Sequence, residues 1–153
     1  MLDIVFNNLS PNKKYKSVFF EKILEESVKI TGLKFDTIEV SVNLVSEAQI
    51  KELNKKYRDK DMPTDVLSFP INEQLDAKSA VNGIISLGDI FICLPIAEKY
   101  ALQEGISLDL KLSFLTVHGF LHLLGYDHEK NQNEEIKMFT LQDKILKSIK
   151  VHV

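Results

Sequence analysis

The sequence has little of what several protein classes depend on. Its 153 residues include one cysteine, Cys93, so no disulfide can form within the chain. Such cysteine usage is typical of a reducing compartment, and we predict a cytoplasmic location. There are only 6 glycines and 4 prolines, and we find no repeat, linker or low-complexity stretch.

An excess of basic residues is also missing. Lysine and arginine total 19 against 22 aspartates and glutamates, giving a formal net charge of -3. Proteins that coat nucleic acid without specificity are basic, so any nucleic-acid contact here requires a local patch. The N-terminus, MLDIVFNNLS, lacks the basic and apolar regions of a signal peptide. Charges such as Asp109 and Lys111 interrupt the longest apolar stretches, so we expect no membrane-spanning helix and no membrane partner.

Hydrophobic periodicity predicts strands at residues 2–6, 37–45, 66–69 and 84–93. It predicts helices at 14–32, 46–57, 95–105, 107–124 and 133–149, the second with a capping box at Ser46 and Gln49. Residues 72–82 have the composition of a polar loop. Because strands and helices do not alternate regularly, we predict an α+β fold. We expect a single domain over residues 1–153, with a central mixed β-sheet of about four strands and helices packed around it.

Three histidines are the most informative feature of the sequence. His118 and His122 lie one turn apart on a helix that is apolar almost all round and therefore buried. Gly125 ends this zincin-like histidine helix, and the chain reversal brings His128 back toward the same point. Three imidazoles fill three corners of a tetrahedron and leave the fourth open for water, as in catalytic zinc sites. We predict one Zn²⁺ per chain, held by His118, His122 and His128.

Other interpretations of these residues stay open. A lone histidine on an apolar helix is usually a hydrogen-bonded core residue, but a buried pair with a third histidine nearby is costly without a ligand. Nickel, copper or iron would also accept imidazole ligands. Cys93 is either a further ligand or an inert buried thiol. Asp127 either orients a ligating imidazole from the second shell or stabilises its turn. His152 has no such context, and we expect it to be exposed and frayed.

The histidine motif differs from HExxH at one important position. In HExxH a glutamate follows the first histidine and serves as general base, whereas here that position is Gly119. This argues against peptide hydrolysis by that mechanism. A zinc-bound water of lowered pKa can still attack a phosphodiester.

Phosphoryl chemistry also requires a cation near the developing negative charge. The segment KELNKKYRDKD at residues 51–61 carries a local charge of +2 within an acidic chain. Its lysines, among them Lys55, Lys56 and Lys60, suit a solvated helix face or a cation near a phosphate. Arg58 begins a loop, where a guanidinium can bind phosphate in a bidentate way. Spacing alone does not place that loop at the metal.

Three blocks of sequence resemble the YbeY family of bacterial metal-dependent endoribonucleases. They are NKKYRDKDMPTDVLSFP at residues 54–70, LGDIFIC at 87–93 and HGFLHLLGYDH at 118–128. Together they span about half the chain in the family's order, and the histidine block is highly specific.

The resemblance implies an α+β fold with the histidine helix packed on a central sheet. It implies zinc bound by His118, His122 and His128, with Arg58 and His118 linked to activity. It further implies cleavage of single-stranded RNA, in maturation of the 16S ribosomal RNA 3′ end and in quality control of 70S ribosomes. Ribosomal RNA, the ribosome and ribosomal proteins are then the expected partners. For Asp65, Ser68 and Asp89, which lie in the family blocks, we expect structural roles.

Two other functions compete with a ribonuclease. One is a zinc-dependent hydrolase of another substrate, such as a peptide, which Gly119 argues against. The other is a non-catalytic ribosome-assembly factor with structural zinc, which would need a fourth protein ligand such as Cys93 or Asp127. A related possibility is a protein that cuts RNA only within a complex.

Overall fold

The computed structural model describes residues 1–149, so the expectation about His152 lies outside the described residues. These residues form four strands, five α-helices and one short 3₁₀ helix. In chain order they are β1 (Leu2–Asn8), α1 (Ser17–Thr31), β2 (Thr37–Val45), α2 (Glu47–Arg58), β3 (Val66–Pro70), the 3₁₀ helix (Ala77–Ser79), β4 (Ile84–Cys93), α3 (Leu94–Glu104), α4 (Leu108–Leu123) and α5 (Gln132–Ile149).

The four strands form one mixed sheet in the order β1-β2-β4-β3. The β1–β2 and β2–β4 pairs are parallel, and the β3–β4 pair is antiparallel. The predicted α+β fold with a mixed four-stranded sheet is therefore confirmed. Strand β3 lies at one edge, so half of its backbone hydrogen-bonding groups face away from the sheet.

A β-bulge interrupts the pairing of β2 with β4. The register changes between Glu39 and Val40, which pair with Ser86 and Gly88. Gly88 has φ 133°, and a Cβ there would collide with the carbonyl oxygen of Phe69. The bulge changes the alternation of β4, so that Leu87 and Ile90 are both fully buried.

The main core lies between the sheet and helices α1, α4 and α5. It comprises buried residues such as Phe20 of α1, Val42 of β2, Phe120 of α4 and Ile145 of α5. A second, smaller cluster lies on the other face of the sheet, under α2. It is formed by Val45, Ile50, Leu67, Cys93 and Ile96. Helix α4 is consequently central, as its apolar sequence predicts.

Local structure agrees with the sequence at several element ends. The capping box at the start of α2 is confirmed, since Gln49 N donates to Ser46 Oγ at 3.2 Å and Ser46 N donates to Gln49 Oε1 at 2.9 Å. Residues 72–82 are more ordered in structure than a plain loop, because the Asp76 carboxylate accepts from Lys78 N at 2.8 Å and caps the 3₁₀ helix. In the part of the chain that the structure describes, no helix is long and apolar enough to cross a membrane.

Candidate metal centre

The three histidines lie together at the C-terminal end of α4. His118 and His122 are on the same face of that helix, one turn apart. The chain reverses at Gly125, whose φ is 98°, and Gly125 N donates to the carbonyl of His122 at 3.0 Å. Tyr126 N donates to the carbonyl of Leu121 at 3.1 Å, which turns the chain back along the helix end. This turn is the one that the sequence predicts, and it returns His128 to the helical pair.

The spacing of the imidazole nitrogens suits a tetrahedral metal ion. One ligand nitrogen from each of His118, His122 and His128 lies within 4.8 Å of the others. The Nε2 atoms of His118 and His122 are 3.2 Å apart. Two nitrogens bound to one tetrahedral zinc ion lie about 3.3 Å apart, given Zn–N bonds of about 2.0–2.1 Å.

Gln142 of α5 orients the first histidine, a role that sequence reasoning missed. Its Oε1 atom lies 3.1 Å from His118 Nδ1, and its side chain is only 3% exposed. Because a carbonyl oxygen accepts and cannot donate, His118 carries its proton on Nδ1 in this pair. The lone pair on Nε2 then points at the cluster, which is the tautomer a metal ligand needs.

Burial keeps the two helical imidazoles neutral. It lowers the pKa of His118, against a smaller raising effect of the Gln142 hydrogen bond. It lowers the pKa of His122 to about 4, and the neighbouring imidazoles add to this, whereas the negative charge of Asp127 opposes it. Neutral imidazoles are the form that binds a metal, so protons compete little for these nitrogens near neutral pH.

His128 supplies independent support for a bound ion. Among the described residues its Nδ1 is a buried side-chain nitrogen without a hydrogen-bond partner. An unsatisfied buried polar atom costs about 1–3 kcal/mol, which a coordinated ion would remove. The three side chains therefore fit a metal in both number and chemistry.

The other predicted ligands lie outside this cluster. The group of ligand atoms around the three histidines contains no fourth protein ligand within residues 1–149. Cys93 is fully buried at the end of β4, in the cluster under α2, and burial raises the pKa of its thiol. Of the two interpretations of Cys93, a further metal ligand or an inert buried thiol, the structure therefore favours the inert thiol. The Asp127 carboxylate accepts from Glu129 N at 2.9 Å and so stabilises the turn before His128. Its second-shell role stays a prediction.

Arg58 approaches the histidine helix through strand β3. It is the last residue of α2 rather than the first of a loop, because Asp59 ends the helix in a left-handed conformation. Its Nη2 donates to the carbonyl of Ser68 at 2.9 Å. Ser68 is buried, and its Oγ is 3.0 Å from the position that a Cβ on Gly119 would take. Ser68 of β3 therefore lies between Arg58, which its carbonyl contacts, and Gly119, the residue that follows His118.

Gly119 also explains why this helix lacks the HExxH glutamate. A Cβ at this position would lie 2.9 Å from Ile90 Cγ2, closer than side chains normally approach. The side of α4 that carries Gly119 faces β3 and β4, so a longer side chain has no room there.

The remaining basic residues of α2 and its following loop are solvent-exposed. Lys55 lies 3.9 Å from Asp61 and is 67% exposed, so the pair contributes little to stability. Lys56 Nζ lies 5.2 Å from the centre of the Tyr57 ring. Lys60 is exposed as well.

Asp65, expected to be structural, accepts from Cys93 N through its carbonyl at 2.8 Å, and its charge acts to raise the pKa of His118.

Fold and site together define a class of protein. A helix packed on a mixed sheet and the turn that follows it present three imidazoles, with no fourth protein ligand within the described residues. An arginine at the end of α2 donates a hydrogen bond to the edge strand β3. This is the donor set of a hydrolytic metal centre.

Comparison with known proteins identifies the family within that class. The family model described as Endoribonuclease YbeY matches residues 6–150. The chain belongs to the YbeY endoribonuclease family.

Individual relatives agree over nearly the whole chain. The Endoribonuclease YbeY of Persephonella marina is 43% identical over 141 residues, covering 92% of this chain and 86% of that protein. That of Bacillus cereus is 38% identical over 151 residues, covering 97% and 95%. The solution structure of TM1509 from Thermotoga maritima matches with a TM-score of 0.63 and 34% identity, covering 97% of this chain and 89% of that one. The resemblance seen in the sequence and the prediction of a hydrolase of the endoribonuclease class are confirmed.

Proposed function

We propose that this protein is a zinc-dependent endoribonuclease specific for single-stranded RNA, acting in the cytoplasm on ribosomal RNA. Its tasks would be maturation of the 16S ribosomal RNA 3′ end and late-stage quality control of 70S ribosomes, with the ribosome and ribosomal proteins as partners. The observation that carries the proposal is the open cluster of His118, His122 and His128 in a chain of the YbeY endoribonuclease family.

The three histidines would hold the ion at the C-terminal end of α4. Zinc bound there would supply a Lewis acid for a phosphate oxygen and a nucleophilic water at neutral pH. Three neutral imidazoles without a thiolate favour zinc over softer or harder metals. The site retains room for water and substrate, since no fourth protein ligand lies in the cluster within the described chain.

Arg58 would bind the phosphate at the cleavage site. One of its five N–H donors is used by the Ser68 carbonyl, which fixes the guanidinium and leaves the other donors for a substrate. A positioned guanidinium stabilises charge that develops on the phosphate oxygens in the transition state. Lys55, Lys56 and Lys60 are exposed on the same segment and would attract the RNA backbone. Single strands suit this site because they bend into a cleft more easily than duplexes.

The structure weighs against both competing functions. A peptide hydrolase of the HExxH type requires a base that Gly119 replaces and that the packing of α4 does not admit. A structural zinc site is normally closed by four protein ligands. Here Cys93 lies in another cluster, and Asp127 is engaged with the backbone of Glu129.

The decisive assay combines metal content with cleavage. Nuclease-free, zinc-loaded protein should cut a single-stranded ribosomal RNA fragment, leave the matching duplex intact and leave casein intact. Elemental analysis should find one zinc per wild-type chain and a loss in His118→Ala, His122→Ala and His128→Ala. Arg58→Ala should retain zinc and lose cleavage. Intact single-stranded RNA together with equal behaviour of Arg58→Ala and wild type would refute the proposal.

A further inference from the structure

The sheet face opposite α4 is only partly covered by protein. Its side chains form cross-strand rows, one of them Val5, Ser41, Asp89 and Phe69. Helix α2 covers the end of this face near Leu67 and Cys93, whereas Val5 at the β1 end is 53% exposed. Among the described residues, no helix covers the β1 end of this face.

Three aromatic rings lie in contact along the border between α2 and this face. Tyr57, in the last turn of α2, is 5.2 Å from Phe69, and Phe69 is 5.7 Å from Phe91, measured between ring centres. Tyr57 is 56% exposed, although an aromatic side chain of its size would gain from burial. Phe69 and Phe91 are half-buried. The cluster therefore offers aromatic surface to solvent.

Two cations flank these rings. Lys56 Nζ lies 5.2 Å from the centre of the Tyr57 ring, and Arg58 Cζ lies 5.7 Å from the centre of the Phe69 ring. Aromatic rings for stacking beside cations for the backbone are the combination by which proteins bind single-stranded nucleic acid. In a chain of net charge -3, this local pairing of cations with rings favours a polyanion with flat apolar groups.

A cavity of about 300 Å³ opens beside Tyr57 and Phe91. Its walls are formed mainly by apolar groups, with polar side chains at the helix. The lining includes Val45, Glu52, Leu53, Lys56, Tyr57 and Phe91. The carboxylate of Glu52 disfavours a phosphate in this cavity, whereas it can accept a hydrogen bond from an amino group on a base edge.

The cavity and the metal centre lie on opposite faces of the sheet, with the edge strand β3 between them. Phe69 of the aromatic cluster follows Ser68, whose carbonyl accepts from Arg58 and whose hydroxyl lies against Gly119 beside His118. An RNA strand that places one base at Tyr57 would pass Arg58 at this sheet edge on its way to the histidines. We propose that this cavity binds a nucleobase of the single-stranded RNA substrate, with Tyr57 and Phe91 as stacking surfaces. The inference rests on the proposed function.

Binding of a labelled oligonucleotide tests this assignment separately from cleavage. The full chain carrying His118→Ala is titrated into a fluorescein-labelled single-stranded oligoribonucleotide, alone and with Tyr57→Ala, Tyr57→Phe or Tyr100→Ala. Loss of one stacked base weakens binding by about 5- to 150-fold. We expect that loss in Tyr57→Ala, little change in Tyr57→Phe, and none in Tyr100→Ala. Tyr100 is the matched control, since it is 37% exposed with Lys111 Nζ 5.6 Å from its ring.

Stacking itself is read from 2-aminopurine placed in the oligonucleotide. Its fluorescence should be quenched on binding by the His118→Ala chain and less so when Tyr57 is also alanine. Thermal melting of each variant identifies any that fails to fold, and Tyr57→Phe then carries the comparison through its retained quenching. Equal affinity and equal quenching with and without Tyr57→Ala would overturn the inference and leave an apolar side chain of a protein partner as the occupant. In that case the wild type would still cleave RNA. If instead the wild type does not cleave and no variant binds the oligonucleotide, the proposed function is overturned.

Discussion

Replacing Gln142 by leucine tests how the protein prepares His118 for a metal. Leucine has nearly the volume of glutamine, so the change removes the oxygen that accepts from His118 Nδ1 at 3.1 Å without opening a cavity. Gln142 is only 3% exposed, so water cannot easily replace that oxygen. The His118 ring would then lose the contact that fixes both its orientation and its tautomer.

Two independent magnitudes apply to this substitution. A buried donor left unsatisfied costs about 1–3 kcal/mol. Loss of a partner that orients a metal-bound histidine weakens metal affinity by about 10- to 100-fold, which equals about 1.4–2.7 kcal/mol. The first magnitude lowers the stability of the fold, and the second gives the effect on the metal site. We therefore expect zinc binding to Gln142→Leu to be weaker by about 10- to 100-fold.

Competition with a chromophoric chelator at neutral pH measures the zinc dissociation constant of each variant. Gln142→Glu keeps an acceptor for His118 Nδ1 and should bind zinc nearly as well as wild type. Leu141→Ala is the packing control, because Leu141 is a half-buried neighbour of Gln142 on the same helix. A Gln142→Leu affinity within twofold of wild type would refute the reasoning. Equal weakening in Leu141→Ala would assign the effect to the packing of α5.

Three further substitutions or conditions have defined outcomes. Gly119→Ala should lower the free energy of unfolding, measured by urea denaturation, by about 1 kcal/mol, because overpacking against Ile90 and Ser68 outweighs the helix propensity that alanine adds. An unchanged midpoint of the urea transition would show that α4 can shift to make room. Metal-free protein should lose stability as the pH falls from 6.5 toward 4, because the unfolded chain then binds more protons than the fold, in which the pKa of His122 is about 4 and that of His118 is also lowered. His122→Phe should reduce this dependence and leave the part that His118 contributes, and an unchanged slope would contradict the assignment. Arg58→Lys should lower the cleavage rate by about 10²- to 10³-fold at unchanged zinc content. The reason is that an ammonium group cannot donate to the Ser68 carbonyl and bind a phosphate in a bidentate way at the same time. Full activity of this variant would remove Arg58 from the mechanism.

The histidine cluster could be predicted because its geometry is local. Two ligands share one helix face. The third, His128, comes three residues after Gly125, where the chain turns back. Helical periodicity and the conformational freedom of glycine suffice to bring such residues together. The strands were predicted for a similar reason, since alternation is a local pattern. Their order β1-β2-β4-β3 is not visible in the sequence, because pairing depends on contacts between distant segments.

The partners of the cluster depend on such distant contacts and were harder to predict. Gln142 lies 24 residues after His118, on a helix that reaches it only through tertiary packing. A signal for it does exist, since Gln142 is a polar residue four positions after Met138 and three before Ile145, within the apolar stripe of α5. A buried glutamine in such a stripe requires a polar partner, and His118 is the one it has.

Gly119 connects the two halves of the proposed mechanism. Its lack of a side chain lets α4 approach β3 closely, and this contact places Ser68 against the residue that follows the first metal ligand. The carbonyl of the same Ser68 accepts a hydrogen bond from Arg58. The sequence pattern alone does not show that Arg58, at the end of α2, lies next to β3. Under the proposed mechanism, Gly119 therefore has two effects: it excludes the glutamate of a peptidase, and it lets α4 pack closely on β3, the strand that holds Arg58. On this argument, a larger residue at position 119 should reduce cleavage more than it reduces zinc binding, because it moves β3 and Arg58 away while the three imidazoles stay on one helix and its turn.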